Sequence, residues 1–361
     1  MQDGDQHGDR RRVPQLDGLR GVAILLVVFA HMWDGVSPTN RRLFENTPFV
    51  SGGGLFGVEL FFVLSGFLIT SLLLREQEET GTVRMGGFYL RRARRLLPAF
   101  AIVLAAYGTY ALVVYHGDAR TAALGSIARA ATYTENLQSA IGWPSDRALG
   151  HTWSLAVEEQ FYLLWPAVLL LAARRGRRAV TYAAIAVIGL TVVSRPALRL
   201  AGVDLGSGMH WVALMLGSLL AARPVAVPRW LGRAAFAVLG ASLLFLPTAD
   251  LVAYTVAVAA GAVALCHAFR TRWLAHPVLR FFGTISYGLY LWHAFLLWFG
   301  WPVLPTVALS IAIATASFYA VERRFLRRPP RVTDAPADPA GDTTDPLARP
   351  LPNVGARPAT A

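Results

Sequence analysis

Apolar and polar positions along this chain form neither the strict alternation of half-buried strands nor the one-sided stripes of surface helices. They form long, nearly uninterrupted apolar stretches, cut by short segments rich in Arg, Gly and Pro. A helix needs roughly 20 mostly apolar residues to cross a bilayer, because lipid leaves its backbone groups no other partner than each other. About ten stretches meet or approach that length, at 16–34, 53–74, 96–115, 152–173, 179–195, 209–223, 232–248, 250–268, 282–300 and 303–321. The sixth and seventh are short and lie close to Pro224 and Pro228. The pattern predicts an all-α, polytopic integral membrane protein with about ten transmembrane helices. The first stretch does not read as a cleaved signal peptide, since it contains Arg20 and His31 and no small-residue cleavage site follows it.

Composition and charge sharpen this reading. Of the 361 residues 55% are hydrophobic and 16% charged, against about 25% charged in soluble domains. The formal charge is +12, and every one of the 34 basic residues is Arg. In a soluble protein that excess would point to nucleic acid. Here the charges follow the loops. With the N-terminus inside, 24 arginines fall on inner segments and 7 on outer ones. That bias satisfies the positive-inside rule with both termini cytoplasmic and the chain multi-pass in the cell membrane. Its partners are then membrane lipids, not nucleic acid. Residues 1–13 and the Pro-rich 326–361 hold too few large apolar side chains to offset the entropy of ordering, and are expected as disordered cytoplasmic ends flanking a membrane domain at 14–325. The longest outer loop, about 116–150, is long enough to form a small cap. Cys266 is the single cysteine, which excludes an intrachain disulfide, and the scattered histidines form no metal-ligand spacing, so no metal is expected.

Ionisable side chains inside spans are costly and are functional candidates by default. In LDGLRGVAILLVVFAHM, Arg20 and His31 are eleven residues apart, so both fall on one helix face with a rise of about 16 Å between them. Glu59 and Ser65 are the polar interior of the second stretch, and Glu59 lies at a depth similar to His31, where a carboxylate would orient the imidazole; the other reading is a structural ion pair, with an Arg for example. Arg91, Arg92, Arg94 and Arg95 precede the third stretch at its inner end. They could neutralise phosphate groups, but composition alone favours a topological anchor at lipid headgroups. Ser154, Glu158 and Tyr162 form an i, i+4, i+8 stripe on the fourth, with His151 just before it and Glu159 beside it. An outer polar pocket built from them is one reading, and an interfacial aromatic belt of Trp153, Tyr162 and Trp165 is the other. Ser286, Tyr290 and His293 share a face of the ninth stretch and read as structural.

Taken in order, LDGLRG with Arg20 and His31, GVELFFVLSGFLIT, RRARRLLP, HTWSLAVEEQFYLLWP and SYGLYLWH resemble the acyltransferase 3 family of membrane O-acyltransferases over about residues 14–325. The chain is similar to the stand-alone form, which lacks an esterase-like outer domain. The resemblance implies transfer of an acyl group, acetyl above all, from cytoplasmic acyl-CoA to a hydroxyl of a carbohydrate-containing acceptor. That acceptor would be an envelope glycan or a glycolipid, with a macrolide-type natural product close behind. It implies that Arg92 and Arg95 hold the CoA phosphates and that Arg20 holds the donor arm or polarises its carbonyl. His31 is then a general base or an acyl carrier. Glu59 would orient His31, and His151, Ser154, Glu158 and Tyr162 would place the acceptor. A ten-span transporter or flippase is the alternative of another class, though the sequence shows no inverted repeat.

Overall fold

The computed structural model describes residues 13–33, 53–143, 147–200, 210–243 and 251–326. The described residues are helical, with no strand among them. We label the helices of thirteen or more residues α1 Pro14–Trp33, α2 Gly53–Thr80, α3 Met85–Val114, α4 Gly117–Ala131, α5 Trp153–Ala173, α6 Arg177–Leu200, α7 His210–Ala222, α8 Arg229–Ala241, α9 Leu251–Ala268, α10 Pro277–Trp298 and α11 Val303–Ser317. Each of the ten expected stretches carries a helix, and among the described residues seven helices are long and apolar enough to cross a membrane. The others depart for visible reasons. Helices α7 and α8 have 13 residues each. Helix α10 has 22 residues, but its apolarity is diluted by Ser286, Tyr287, Tyr290, Trp292 and His293. The tails expected at 1–13 and 326–361 lie outside the described residues, apart from Val13 and Leu326.

Glycines set how the central helices meet. A Cβ on Gly66 would stand 1.9 Å from the Leu214 carbonyl oxygen, and one on Gly217 would stand 2.0 Å from that of Val63. These positions bring the backbones of α2 and α7 into contact. Gly21 against Leu279 (2.1 Å) and Gly283 against Asp17 (1.9 Å) do the same for α1 and α10. Membrane helices have no hydrophobic drive toward one another beyond what lipid offers, so close backbone approach supplies the packing energy. The span of α2 is 67% buried, whereas that of α6 and the one formed by α11 with its helical continuation to Phe325 are 17% and 22% buried. Thus α2 is the central post, and α6 and α11 turn Tyr182, Leu190, Val193 and Leu304 outward as a lipid-facing shell.

Two elements sit differently from expectation. Helix α3 begins at Met85 and continues through Pro98, so the arginine run lies within the helix and not ahead of it. The segment after α3 does not stand beyond the bundle as a cap. Helix α4 folds back along α3 until Tyr133 stacks on Phe100 at 5.5 Å, which is about 21 Å below the end of α3 at 1.5 Å per residue. A buried Arg129–Glu135 pair at 2.9 Å closes this return. Gln160 then ties it to α5 through the Tyr133 carbonyl (2.9 Å) and the Asn136 side chain.

Candidate active site

A cavity of about 680 Å³ opens among α1, α2, α3, α5 and α10. Arg20 enters it from α1 and Ser65 from α2, Arg92 and Arg95 from α3, Ser154, Glu158 and Tyr162 from α5, and Ser286, Tyr287 and Tyr290 from α10. Helical periodicity explains the α5 set, since Ser154, Glu158 and Tyr162 are successive turns of one face. The same holds for Ser286 and Tyr290 on α10.

Arg92 is the hub of its polar wall. Its Nε and Nη2 donate to Glu159 Oε1 at 3.3 and 3.2 Å, and Nη2 lies 3.8 Å from Glu158 Oε1. Its guanidinium carbon sits 3.0 Å above the Tyr162 ring centroid. Glu158 in turn accepts from the hydroxyls of Ser65 and Tyr162. Arg92 was expected at an inner mouth ahead of its span. It lies instead level with Ser65, near the middle of α2, because α3 starts eleven residues earlier than the apolar run suggested. The arginine run then splits by helix face. Arg91 approaches Glu76 (3.8 Å), and Arg92 and Arg95 turn to the cavity. Arg20 has Asp17 at 3.8 Å as an ion-pair partner and stays 20% exposed.

Beyond Tyr290 lies a cluster of three histidines. The Tyr290 hydroxyl donates to the His151 carbonyl at 2.7 Å and shares a 2.5 Å hydrogen bond with Ser154 Oγ. Its ring packs against His151 (5.4 Å) and His293 (5.6 Å). His293 meets His31 edge-on at 4.9 Å. The Nδ1 of His31 donates to the Val27 carbonyl at 2.9 Å. A ring nitrogen facing a carbonyl carries a proton, so in the neutral imidazole the lone pair of His31 is on Nε2. His293 is fixed in the same way, with Nδ1 on the Leu289 and Tyr290 carbonyls (3.0 and 2.8 Å) and a buried Nε2 that has no partner. The cavity itself is lined by Tyr290, with His31 behind it.

The structure pairs Glu59 with His210, where the sequence suggested His31. Glu59 is fully buried, and its carboxylate is bound by Nδ1 of His210 on α7. The reason is azimuth, not depth. Gly57 packs on Ala23 of α1, with a would-be Cβ only 2.6 Å from the Ala23 carbonyl oxygen. Glu59 is two residues further along α2 and so about 200° around the axis, which turns it away from α1. His210 rests against Trp153 (4.5 Å) and Phe62 (5.5 Å). Nothing in the sequence ties residue 210 to residue 59. For Tyr290 and His293 a signal existed, the shared face with Ser286. Of the acceptor set, Ser154, Glu158 and Tyr162 share the cavity, and His151 joins the histidines behind Tyr290. Among the described residues no group of three His, Cys, Asp or Glu side chains could hold a metal ion.

Comparison with known proteins adds a family. A model described as an acyltransferase domain matches residues 13–321. The chain is 30% identical to the peptidoglycan O-acetyltransferase OatA of Listeria monocytogenes, over 89% of this chain and 56% of that protein. It is 28% identical to a putative peptidoglycan O-acetyltransferase, YrhL, of Bacillus subtilis, over 78% of this chain and 48% of that protein. A putative O-acetyltransferase of Staphylococcus aureus is 37% identical over 44% of this chain and 25% of that protein. The chain thus spans about half the length of the first two relatives and a quarter of the third. No solved structure matches the chain.

Proposed function

The chain belongs to the acyltransferase 3 family, and from that premise we propose that it is a membrane O-acyltransferase. In this reading it moves an acetyl or other short acyl group from acyl-CoA to a sugar hydroxyl of an envelope glycan. Relatives named for peptidoglycan O-acetylation favour a peptidoglycan-type acceptor. One observation carries the proposal: three arginines from two helices converge on a cavity whose far wall, Tyr290, packs on the histidine cluster that contains His31.

The donor enters the cavity from the side of α3. Arg95 and Arg92 face its phosphates, and charge-assisted, bidentate contacts suit guanidinium groups to that task. Glu158, Glu159 and Tyr162 hold Arg92 in place, so its geometry is set before the donor arrives. Arg20, which enters the same cavity from α1, polarises the thioester carbonyl as charge develops on its oxygen. The acceptor reaches His31 from the opposite side of Tyr290. Nε2 of His31 takes the proton of the acceptor hydroxyl, the hydroxyl oxygen attacks the thioester carbon, and the carbon–sulfur bond breaks to release the CoA thiolate. The covalent variant of this route uses the same nitrogen. Nε2 accepts the acyl group as an acyl-imidazole, CoA leaves, and the acceptor oxygen then takes the acyl group. In both, donor and acceptor meet at the Tyr290–His293 wall, with the membrane domain keeping their aqueous sides apart.

The test uses membranes containing the full chain, labelled acetyl-CoA and peptidoglycan fragments. Transfer is expected for the native protein and for Arg174→Ala on a connecting segment, and is lost in His31→Ala. Full transfer by His31→Ala overturns the assignment. Single turnover without acceptor separates the two routes. Label retained on His31 supports the acyl carrier, and CoA release that requires acceptor supports the base. For the donor site, Arg95→Gln raises the KM for acetyl-CoA with little change in kcat. An unchanged KM removes the phosphate role.

A further inference from the structure

A second cavity, of about 730 Å³, lies on the other side of α2, between α2, α7 and α9. Its wall is apolar, with Phe67, Leu74, Leu220, Leu265 and Phe269 among its side chains. Arg75, Glu78 and Arg177 stand at one end. Arg177 is fully engaged there. It donates to Glu78 at 2.6 Å and to the carbonyls of Ala221 and Ala222 at 2.9 and 3.4 Å, closing the C-terminus of α7. Arg75 is not. The acids that act on it are Glu78 and Glu79, neither forms an ion pair with it, and its buried Nη2 has no hydrogen-bond partner. A buried guanidinium N–H without an acceptor is costly, and phosphate is an acceptor that its planar fork fits bidentately.

We propose that this cavity binds one anionic phospholipid, its phosphate on Arg75 and an acyl chain laid between Phe67, Leu220 and Leu265. The site needs an amphiphile, because its cation lies at one end of a pocket that is otherwise hydrocarbon-lined. The choice of a phospholipid over a free anion follows from that pairing. An inorganic phosphate would satisfy Arg75 but leave the apolar volume unfilled. The position of Arg75 agrees, since it falls 22 residues into α2, where the apolar run gives way to REQEET and the headgroup layer begins. The site is separate from the arginine cavity, whose lining from α2 ends at Ser65.

The experiment is native mass spectrometry of the full chain released from vesicles of equal parts phosphatidylcholine and phosphatidylglycerol. The native protein is expected to retain one phosphatidylglycerol in preference to phosphatidylcholine. Arg75→Gln should lower that retention about tenfold, the equivalent of one charge-assisted contact. Val225→Trp, at an exposed position on the rim, should lower it by filling the pocket without touching Arg75. Arg75→Lys should retain part of it. Thermal unfolding in phosphatidylcholine alone serves as the control that each variant is folded. Equal retention of the two lipids by the native protein overturns the proposal, as does unchanged retention by folded Arg75→Gln. Stabilisation by inorganic phosphate as large as that by the lipid makes this a free-anion site and also overturns it. Displacement of the lipid by acetyl-CoA assigns the pocket to the donor, with the same consequence.

Discussion

Two imidazoles beside α2, buried His210 and half-buried His31, are held in opposite ways. His210 is gripped by a carboxylate, Glu59, and walled by Trp153, Phe62 and Tyr254. Among the described residues, no acid is paired with His31. Its Nδ1 is taken by the Val27 carbonyl of its own helix, and its neighbours are two further histidines. Under the proposed function, the difference bears on which one suits catalysis. In the first pair His210 takes one carboxylate oxygen inside a desolvated site, and the second, Oε2, is buried without a partner. In the second the backbone holds the ring, so Nε2 is free to meet a hydroxyl or an acyl carbon. A histidine with an acid partner is the usual picture of a tuned base, yet here that arrangement reads as a structural clamp between α2 and α7.

The largest effect should come from His31→Ala. Loss of a general base typically costs about 10²–10⁴-fold in rate, read as acetyl transfer per folded protein. Glu59→Ala should act on stability instead. Stranding one member of a buried pair costs about 3–5 kcal/mol, seen as a lowered Tm in detergent, while kcat of the folded fraction stays near native. A fall in kcat as deep as that of His31→Ala would mean that Glu59 serves His31 after all. Gly57→Ala should be intermediate. Its Cβ would meet the Ala23 carbonyl oxygen at 2.6 Å, so α1 must shift, at about 1–3 kcal/mol of overpacking. Transfer should fall with it, because His31 rides on α1 and His210 does not. Native kcat in a destabilised Gly57→Ala would break the link between that seam and the chemistry. Glu59→Gln should be the mildest change. The amide oxygen still accepts from His210, so both Tm and transfer should stay close to native, and a large loss of transfer would show that a charge at position 59 is required.

The comparison also separates what was legible in the residues from what was not. Ten helical stretches follow from apolar run length alone. The grouping of Ser154, Glu158 and Tyr162 follows from a spacing of four, because one helix carries all three. The placement of Arg92 did not follow. The residues of Met85–Arg95 are polar enough to read as an inner loop, and only the acids of α5 and the ring of Tyr162 give Arg92 partners inside the bundle. The return of α4 along α3 was likewise hidden. It rests on Arg129 with Glu135 and on Gln160 with Asn136, pairs 6 and 24 residues apart that no periodicity links.

The sequence by itself determined the class of this protein: all-helical, membrane-spanning, with the five motifs of an acyltransferase family and a short catalogue of costly polar residues. Tertiary structure alone decided how those residues pair. The physical reason is geometric. Run length and spacing report depth and face along one helix. Which neighbour a side chain meets depends on the azimuth at which two helices touch, and here that is set by glycines such as Gly57, Gly66 and Gly217, whose contacts lie on other helices. Glu59 had the right depth for His31 and the wrong azimuth, so it found His210.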